Sequence, residues 1–257
     1  MEKPYYIIEF SAAACLAEIR VNDVPVLVLD LPGQASSIVP VNFAILGSGK
    51  QTLTARILPI SGSVVVDANA KLSYQLKLYN IKSAFEYQET LLQYEFAKVD
   101  PENKRPVFQN MEQFEARVPY QLTGWKNGQA LKDIDGVTDK LIRAYQKITG
   151  FIRNRDYESF RSALSNREKL MATTMYLEGE NPHKRVDNLI RDFENGFDLI
   201  PFEKDLVVQF YAGGRMAALR RLNGDHAICA QNVERDEEVL LDLAFYMPEG
   251  KTEFEVV

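Results

Sequence analysis

The feature that most constrains the fold is a change in the spacing of apolar residues near the middle of the chain. Through the first half, apolar and polar residues alternate, as in Cys15–Val21, Lys71–Tyr79 and Phe114–Gly124. A period of two is typical of strands with one buried and one solvated face. Many short strands of this kind, separated by turn residues such as Asn22 and Asp23, favour an antiparallel β-sandwich.

A helical spacing begins after Gly136. Apolar residues then recur at intervals of three and four, first at Val137, Leu141, Ala144, Tyr145, Ile148 and Ile152. A second such stripe starts at Tyr157, with a break expected at Ser165 and Asn166, and a third starts at Val186 and stops at Gly196. Alternating segments return from residue 206 onward. Helices followed by antiparallel strands predict an α+β architecture.

The segment Gly124–Gly136 is rich in Gly, Asn and Asp, which is typical of a linker. We therefore predict two domains and an α+β protein overall. Residues 1–129 are expected to form the antiparallel β-sandwich domain. Residues 130–257 are expected to form an α+β domain with about three helices first and an antiparallel sheet after them.

The order of elements after residue 130 resembles that of the nuclear transport factor two and ketosteroid isomerase superfamily. The resemblance covers residues 130–257 and rests on element order rather than on a motif. It implies helices packed into a curved sheet around a cone-shaped pocket. The first half looks like a generic β-sandwich, either immunoglobulin-like or jelly-roll-like.

Composition excludes several classes of protein. The 257-residue chain is 46% hydrophobic, so it has enough apolar material for a core and is not expected to be disordered. Its net charge of −6 gives no support to nucleic-acid binding. No window approaches 18 continuous apolar residues, so we expect no membrane span. The start of the chain lacks the pattern of a signal peptide, and Cys15 and Cys229 match no metal or redox spacing, which favours a cytoplasmic location.

The sequence contains no complete catalytic motif. The segment Gly47–Thr52 resembles the end of a phosphate-binding loop, but it lacks the first glycine, has Gln51 where Ser or Thr would hold magnesium, and leads into a strand. The chain has only two histidines, His183 and His226, and no cluster of metal ligands. We therefore expect no catalytic residue, no metal and no cofactor.

Polar residues at core-like positions are the candidates for a ligand pocket in the C-terminal half. These are Tyr145, Tyr157, Tyr211 and Asp242. Burying an unpaired polar group costs about 1–3 kcal/mol, so such positions are informative. The alternatives are that the tyrosines cap the core and that Asp242 lies on a wet face of its strand.

Two features are candidates for an interaction surface. Trp125, the only tryptophan, lies in a turn-like segment where it either anchors a partner or packs internally. Charge is also uneven: residues 140–191 hold eleven Lys or Arg against six Asp or Glu, and residues 232–257 hold two against eight. The densest acidic cluster comprises Glu234, Asp236, Glu237 and Glu238, which either docks a basic partner or simply keeps the surface solvated.

These features favour a non-catalytic role in protein interaction or assembly, such as an inhibitor, an antitoxin-type partner or a complex subunit. The partner would be another protein, with no nucleic acid and no membrane. The alternative is small-molecule binding or catalysis in a pocket of the C-terminal domain. An open pocket lined by Tyr145, Tyr211 and Asp242 would favour the alternative, whereas an interior filled by side chains would favour the interaction role.

Overall fold

The computed structural model describes residues 2–82, 84–177, 184–201, 206–222 and 224–257. The chain divides into two compact units. The N-terminal unit contains residues 1–122 and 174–176, and the C-terminal unit contains residues 123–173 and 177–257.

The N-terminal unit is built from one antiparallel sheet of six described strands. The strands are β1 Pro4–Val21, β2 Val24–Pro40, β3 Gly49–Leu58, β4 Lys71–Ile81, β5 Phe85–Glu95 and β6 Phe108–Ala116. Strands β1 and β2 form a long hairpin whose turn residues Asn22 and Asp23 both have positive φ, of 52° and 60°. Asn and Asp tolerate this left-handed region better than most residues, and it gives the turn the twist of the flanking strands.

Strand β1 organises the sheet because it pairs along both of its edges. One edge pairs with β2, while the other pairs with β4 over Pro4–Ala13 and with β3 over Leu16–Val21. The change of partner falls at Ala14, whose φ is 50° and where the register with β2 also shifts. A bulge at this position bends the strand, so the sheet curls into two arms, β4–β5 and β3–β6.

The alternation of apolar residues correctly identifies the buried face of β1. Cys15, Ala17, Ile19 and Val21 are all fully buried, as predicted. Their partners on β3 are buried as well: Ala17 pairs with Ile57, Ile19 with Ala55 and Val21 with Leu53.

The C-terminal unit contains three helices and seven strands among its described residues. The helices are α1 Val137–Arg153, α2 Tyr157–Thr174 and α3 Lys184–Glu194. The strands are β7 Asp198–Leu199, β8 Leu206–Tyr211, β9 Met216–Arg221, β10 Ile228–Asn232, β11 Glu237–Leu241, β12 Phe245–Tyr246 and β13 Glu255–Val256. They form two antiparallel sheets with the orders β11-β10-β7 and β13-β12-β9-β8.

The interior of the C-terminal unit is filled by side chains. Helix α1 contributes Leu141, Tyr145, Ile148 and Ile152, the residues of the predicted stripe. The other helices and the sheets add Phe160, Leu164, Val186, Ile190, Phe193, Ala217, Leu219, Ile228, Leu241 and Phe245. Because these residues form one buried cluster, the space between the helices and the sheets is a core rather than an open cone.

The expected α+β architecture is confirmed. The two-domain organisation and the sandwich description stay predictions. One finer expectation is wrong: α2 continues through Ser165 and Asn166 without a break. Residues up to Leu241 belong to β11, and the chain then leaves that sheet and joins the other one as β12.

The segment Gly124–Gly136, which is predicted to be a linker, is structured. It contains short 3-10 turns at Gly124–Asn127 and Leu131–Asp133, and Trp125 and Leu131 are buried. The Gln129 side chain donates hydrogen bonds to the backbone carbonyls of Pro248 and Lys251, at 2.8 and 2.7 Å. Gly and Asn serve here as turn residues inside a packed segment, which composition alone does not distinguish from a flexible one. No helix in the described part of the chain is long and apolar enough to cross a bilayer.

Candidate functional site

Three of the four predicted pocket residues lie around one arginine that the sequence did not single out. Tyr211 ends β8, Asp242 follows β11, and Tyr145 faces them from α1. Arg220, on β9, lies between them. The register of β8 with β9 and the chain crossing after β11 together bring these distant residues to one place.

The buried Tyr145 side chain contacts three other segments of the C-terminal unit. Its hydroxyl donates a 2.6 Å hydrogen bond to the Leu243 carbonyl and accepts a 3.1 Å bond from the Leu219 amide. Its ring packs on Phe245 with 4.7 Å between the ring centroids. Burial raises the pKa of the Tyr145 hydroxyl well above its usual value, so the group stays neutral. Tyr145 therefore ties α1 to the β13-β12-β9-β8 sheet and to the segment between β11 and β12.

Arg220, His226 and Asp242 form a charged cluster at the edge of this core. Arg220 Nη2 donates a 3.0 Å bond to Asp242 Oδ1, and His226 Nδ1 lies 3.0 Å from the same oxygen. Arg220 Nε also lies 3.5 Å from the Tyr211 hydroxyl, which donates to Gln209 Oε1 at 2.7 Å. Arg220 is buried, whereas the Asp242 side chain is 60% exposed.

The electrostatics of the cluster favour an ionised Asp242. Loss of hydration by the surrounding protein pushes the pKa of this carboxyl up. The hydrogen bond from His226 and the charge of Arg220 outweigh that effect and hold its pKa below the usual 3.8. Asp242 therefore compensates the buried Arg220 cation.

A histidine beside a carboxylate resembles an acid–base pair, but Arg220 Nη1 lies against the same ring and contacts Nδ1 more closely than Nε2. His226 Nε2 lies 3.4 Å from Arg220 Nη1. A general base must reach the proton of its substrate, and the Nδ1 atom is already engaged by Asp242 and Arg220. The cluster is therefore suited to holding β9 against the chain after β11.

Replacing Asp242 with Asn is expected to lower the free energy of unfolding by about 1 kcal/mol near pH 7, since the pair is partly solvated. The folded pKa of Asp242 is depressed, so its contribution is present above the unfolded value and is lost as pH falls through the folded one. Urea unfolding between pH 7 and pH 2 should show a smaller decline for Asp242→Asn than for the wild type. Parallel curves for the two proteins would contradict this role.

Asp242 also lines a small polar cleft of about 360 Å³ against α2 and α3. There Glu168 is buried and accepts from Arg167 at 2.6 Å and from Arg185 at 3.3 Å. The charges that line this cleft are thus largely used in ion pairs with one another.

The remaining predicted site residues lie elsewhere. Tyr157 is half-buried at the start of α2 and packs against the core. Trp125 is only 5% exposed, so its side chain packs internally. The acidic residues Glu234, Asp236, Glu237 and Glu238 are all exposed on the hairpin that joins β10 and β11. His183 lies outside the described residues, and the described ones contain no group of three or more potential metal ligands.

Sequence reasoning missed an exposed aromatic face on the N-terminal unit. Phe85 and Tyr87 of β5 are 56% and 55% exposed. Tyr87 pairs with Tyr79 of β4, which in turn pairs with Tyr5 of β1, and the rings of Tyr79 and Tyr87 lie 5.7 Å apart. The Phe85 ring packs edge-on against Tyr5 at 5.2 Å. We call Tyr5, Tyr79, Phe85 and Tyr87 the aromatic face. Within it Phe85 and Tyr87 are exposed, Tyr79 is half-buried and Tyr5 is buried. The alternation of Phe85 and Tyr87 was its only sequence signal.

Comparison with known proteins gives no relative from which a role can be transferred. A scan against protein-family models, a search of curated proteins and a search of solved structures each found no match. The resemblance to the nuclear transport factor two superfamily therefore stays a prediction.

Proposed function

We propose that this protein is a non-catalytic interaction protein that binds an extended, basic segment of a partner protein along β5. The observation that carries this proposal is the exposed aromatic face on that edge strand. Inhibitors, antitoxin-type partners and complex subunits all belong to this class. The predicted two-domain organisation is part of the proposal, with an N-terminal sandwich-type domain carrying the binding edge, as is a cytoplasmic location.

The backbone of β5 supports the proposed mode of binding. Among the described strands β5 pairs only with β4, so its other edge can accept a further strand. Added strands gain main-chain hydrogen bonds along such an edge and specificity from side chains on either face. Aromatic residues dominate the binding energy of many interfaces, and two of them are exposed here on one strand.

The charge of β5 supports a basic partner. Residues 85–95 contain Glu86, Glu89 and Glu95 and no Lys, Arg or Pro. Glu86 pairs with Lys82 at 2.8 Å, while Glu89 and Glu95 form no ion pair within the described residues. Natural edge strands usually carry Lys or Pro that prevent pairing. A row of carboxylates instead repels a second copy of the same strand and attracts a Lys- or Arg-bearing one.

The C-terminal unit supports the non-catalytic part of the proposal. Its interior is occupied by the core side chains, and the Tyr145 hydroxyl is fully used in backbone hydrogen bonds. The Nδ1 atom of His226 is engaged by Asp242 and Arg220. The exposed acidic hairpin with Glu237 and Glu238 provides a second candidate surface for a basic partner.

Substituting Tyr87 with Lys is expected to weaken binding of the native partner by at least about tenfold, because it removes an aromatic anchor and places a positive charge on the edge. The partner would be captured from the native host with the full chain and then titrated against purified variants. In the complex, hydrogen exchange should show new protection of the β5 amides.

The matched control is Met111→Lys, since Met111 is 59% exposed on β6 of the same sheet. Its affinity should stay within about twofold of wild type, as for surface changes outside an interface. Loss of binding in Glu237→Lys/Glu238→Lys but not in Tyr87→Lys would move the interface to the acidic hairpin. Equal affinity of Tyr87→Lys and Met111→Lys would rule out the β5 edge.

A further inference from the structure

A further cleft of the C-terminal unit lies beside α1 and α2, and neither Arg220 nor Asp242 lines it. Its volume is about 840 Å³, and the chain from Gly250 to Val256 forms its second wall. This volume is within the range of small-molecule sites, which is roughly 300–1,000 Å³. Its apolar surface comes from Ile148 and Phe151 on one side and from Phe245 and Phe254 on the other.

Basic residues line the same cleft. Lys140, Arg143 and Lys147 lie three and four residues apart, so they share one face of α1. Lys147 pairs with Glu253 at 3.4 Å. Lys251, on the opposite wall, pairs with Glu255 at 2.5 Å. The two carboxylates that line the cleft are thus matched by these two lysines.

Lys140 and Arg143 are different from the other cations of the cleft. Across the described ranges neither of them forms an ion pair, although both line a cleft with an apolar floor. Lys140 is half-buried and Arg143 is exposed, one turn of α1 apart. Two uncompensated cations beside aromatic side chains match a ligand with a carboxylate at one end and an apolar body at the other.

We infer that this cleft binds a small amphipathic carboxylate. The carboxylate lies against Lys140 and Arg143, and the apolar body packs between Phe151 and Phe254. This site is separate from the β5 edge, and its occupation does not depend on the proposed partner binding.

The test uses two probes of the same shape, naphthalene-2-carboxylate and the neutral naphthalene-2-carboxamide. Each is titrated into the full-length, isotope-labelled protein and followed by NMR shifts of backbone amides. The carboxylate should bind with one saturable site whose shifts centre on residues 140–151 and 250–256. It should bind at least about tenfold more tightly than the amide, because charge-assisted hydrogen bonds are lost with the charge.

The variant Lys140→Gln/Arg143→Gln should weaken carboxylate binding by about tenfold and leave amide binding unchanged. Glutamine is a good helix former, so α1 is retained. The matched control, Arg153→Gln/Lys169→Gln, removes two exposed helical cations that do not line the cleft, and it should bind as wild type does. Increasing salt should weaken binding of the carboxylate to the wild-type protein and leave binding of the amide unchanged. Shifts outside the cleft, equal binding of the two probes, or equal affinity of the two double variants would overturn the inference.

Discussion

Replacing Phe160 with alanine is expected to lower the free energy of unfolding by about 3–5 kcal/mol. Phe160 is fully buried in α2 and meets the Phe193 ring of α3 edge-on, with 6.2 Å between the centroids. Removing the ring loses both its burial and its contacts with the surrounding core, and the packed neighbours can only partly close the cavity. Urea unfolding followed by circular dichroism measures the change.

Val207→Ala is the control for this change, since Val207 is 43% exposed on β8 of the same unit. It should cost less than about 1 kcal/mol. A Phe160→Ala protein as stable as Val207→Ala would mean that the interior of the C-terminal unit is not a packed core. The predicted open, ligand-binding cone would then regain support over the interaction role.

Glu18→Ala is expected to destabilise the protein by about 3 kcal/mol, because it leaves buried positive charge without its partner. Glu18 lies on β1 with its side chain only 10% exposed. It accepts from Arg20 at 2.6 Å and from Arg56 of β3 at 3.0 Å. Arg20 keeps a second contact, with Asp23 at 2.8 Å, which limits the loss.

The control is Glu9→Ala on the same strand. Glu9 pairs with Lys77, but its side chain is 52% exposed, so the expected cost is below about 1 kcal/mol. The loss of unfolding free energy in Glu18→Gln should lie between those of Glu18→Ala and Glu9→Ala, because glutamine keeps a hydrogen-bond acceptor but loses the charge. Denaturant unfolding of the three variants checks the order. Equal losses for Glu18→Ala and Glu9→Ala would show that the Glu18 pair is effectively solvated.

Only some residues of the candidate sites could be recognised from the sequence. Asp242 was recognisable as a carboxylate in an apolar stretch, and its side chain does lie among charged groups. Its partner Arg220 gave no signal, since an Arg after an apolar strand is ordinary. The alternation of Phe85 and Tyr87 did not reveal that both are exposed, because exposure on an edge strand depends on which strands pair. For Trp125 the sequence left two alternatives open, since a turn-like sequence does not reveal whether the turn is buried, and the side chain is buried.

The sequence by itself determined the local features of this protein. The two-residue period set the buried face of β1, Asn22 and Asp23 set its hairpin, and the helical stripe from Leu141 to Ile152 set the buried face of α1. Each of these depends on residues close together in the chain, where backbone preference and side-chain direction are fixed by spacing.

Contacts between segments that lie far apart in the chain could be seen only in the folded structure. Because β1 bends at Ala14, one of its edges pairs with β4 before the bend and with β3 after it. After Leu241 the chain leaves the sheet that contains β11 and enters the sheet that contains β12. These choices place Asp242 beside Arg220 and leave β5 at an edge. The spacing of apolar residues along a strand indicates which of its faces is buried, but it does not indicate which other strand pairs with it. That pairing depends on the packing of the whole unit.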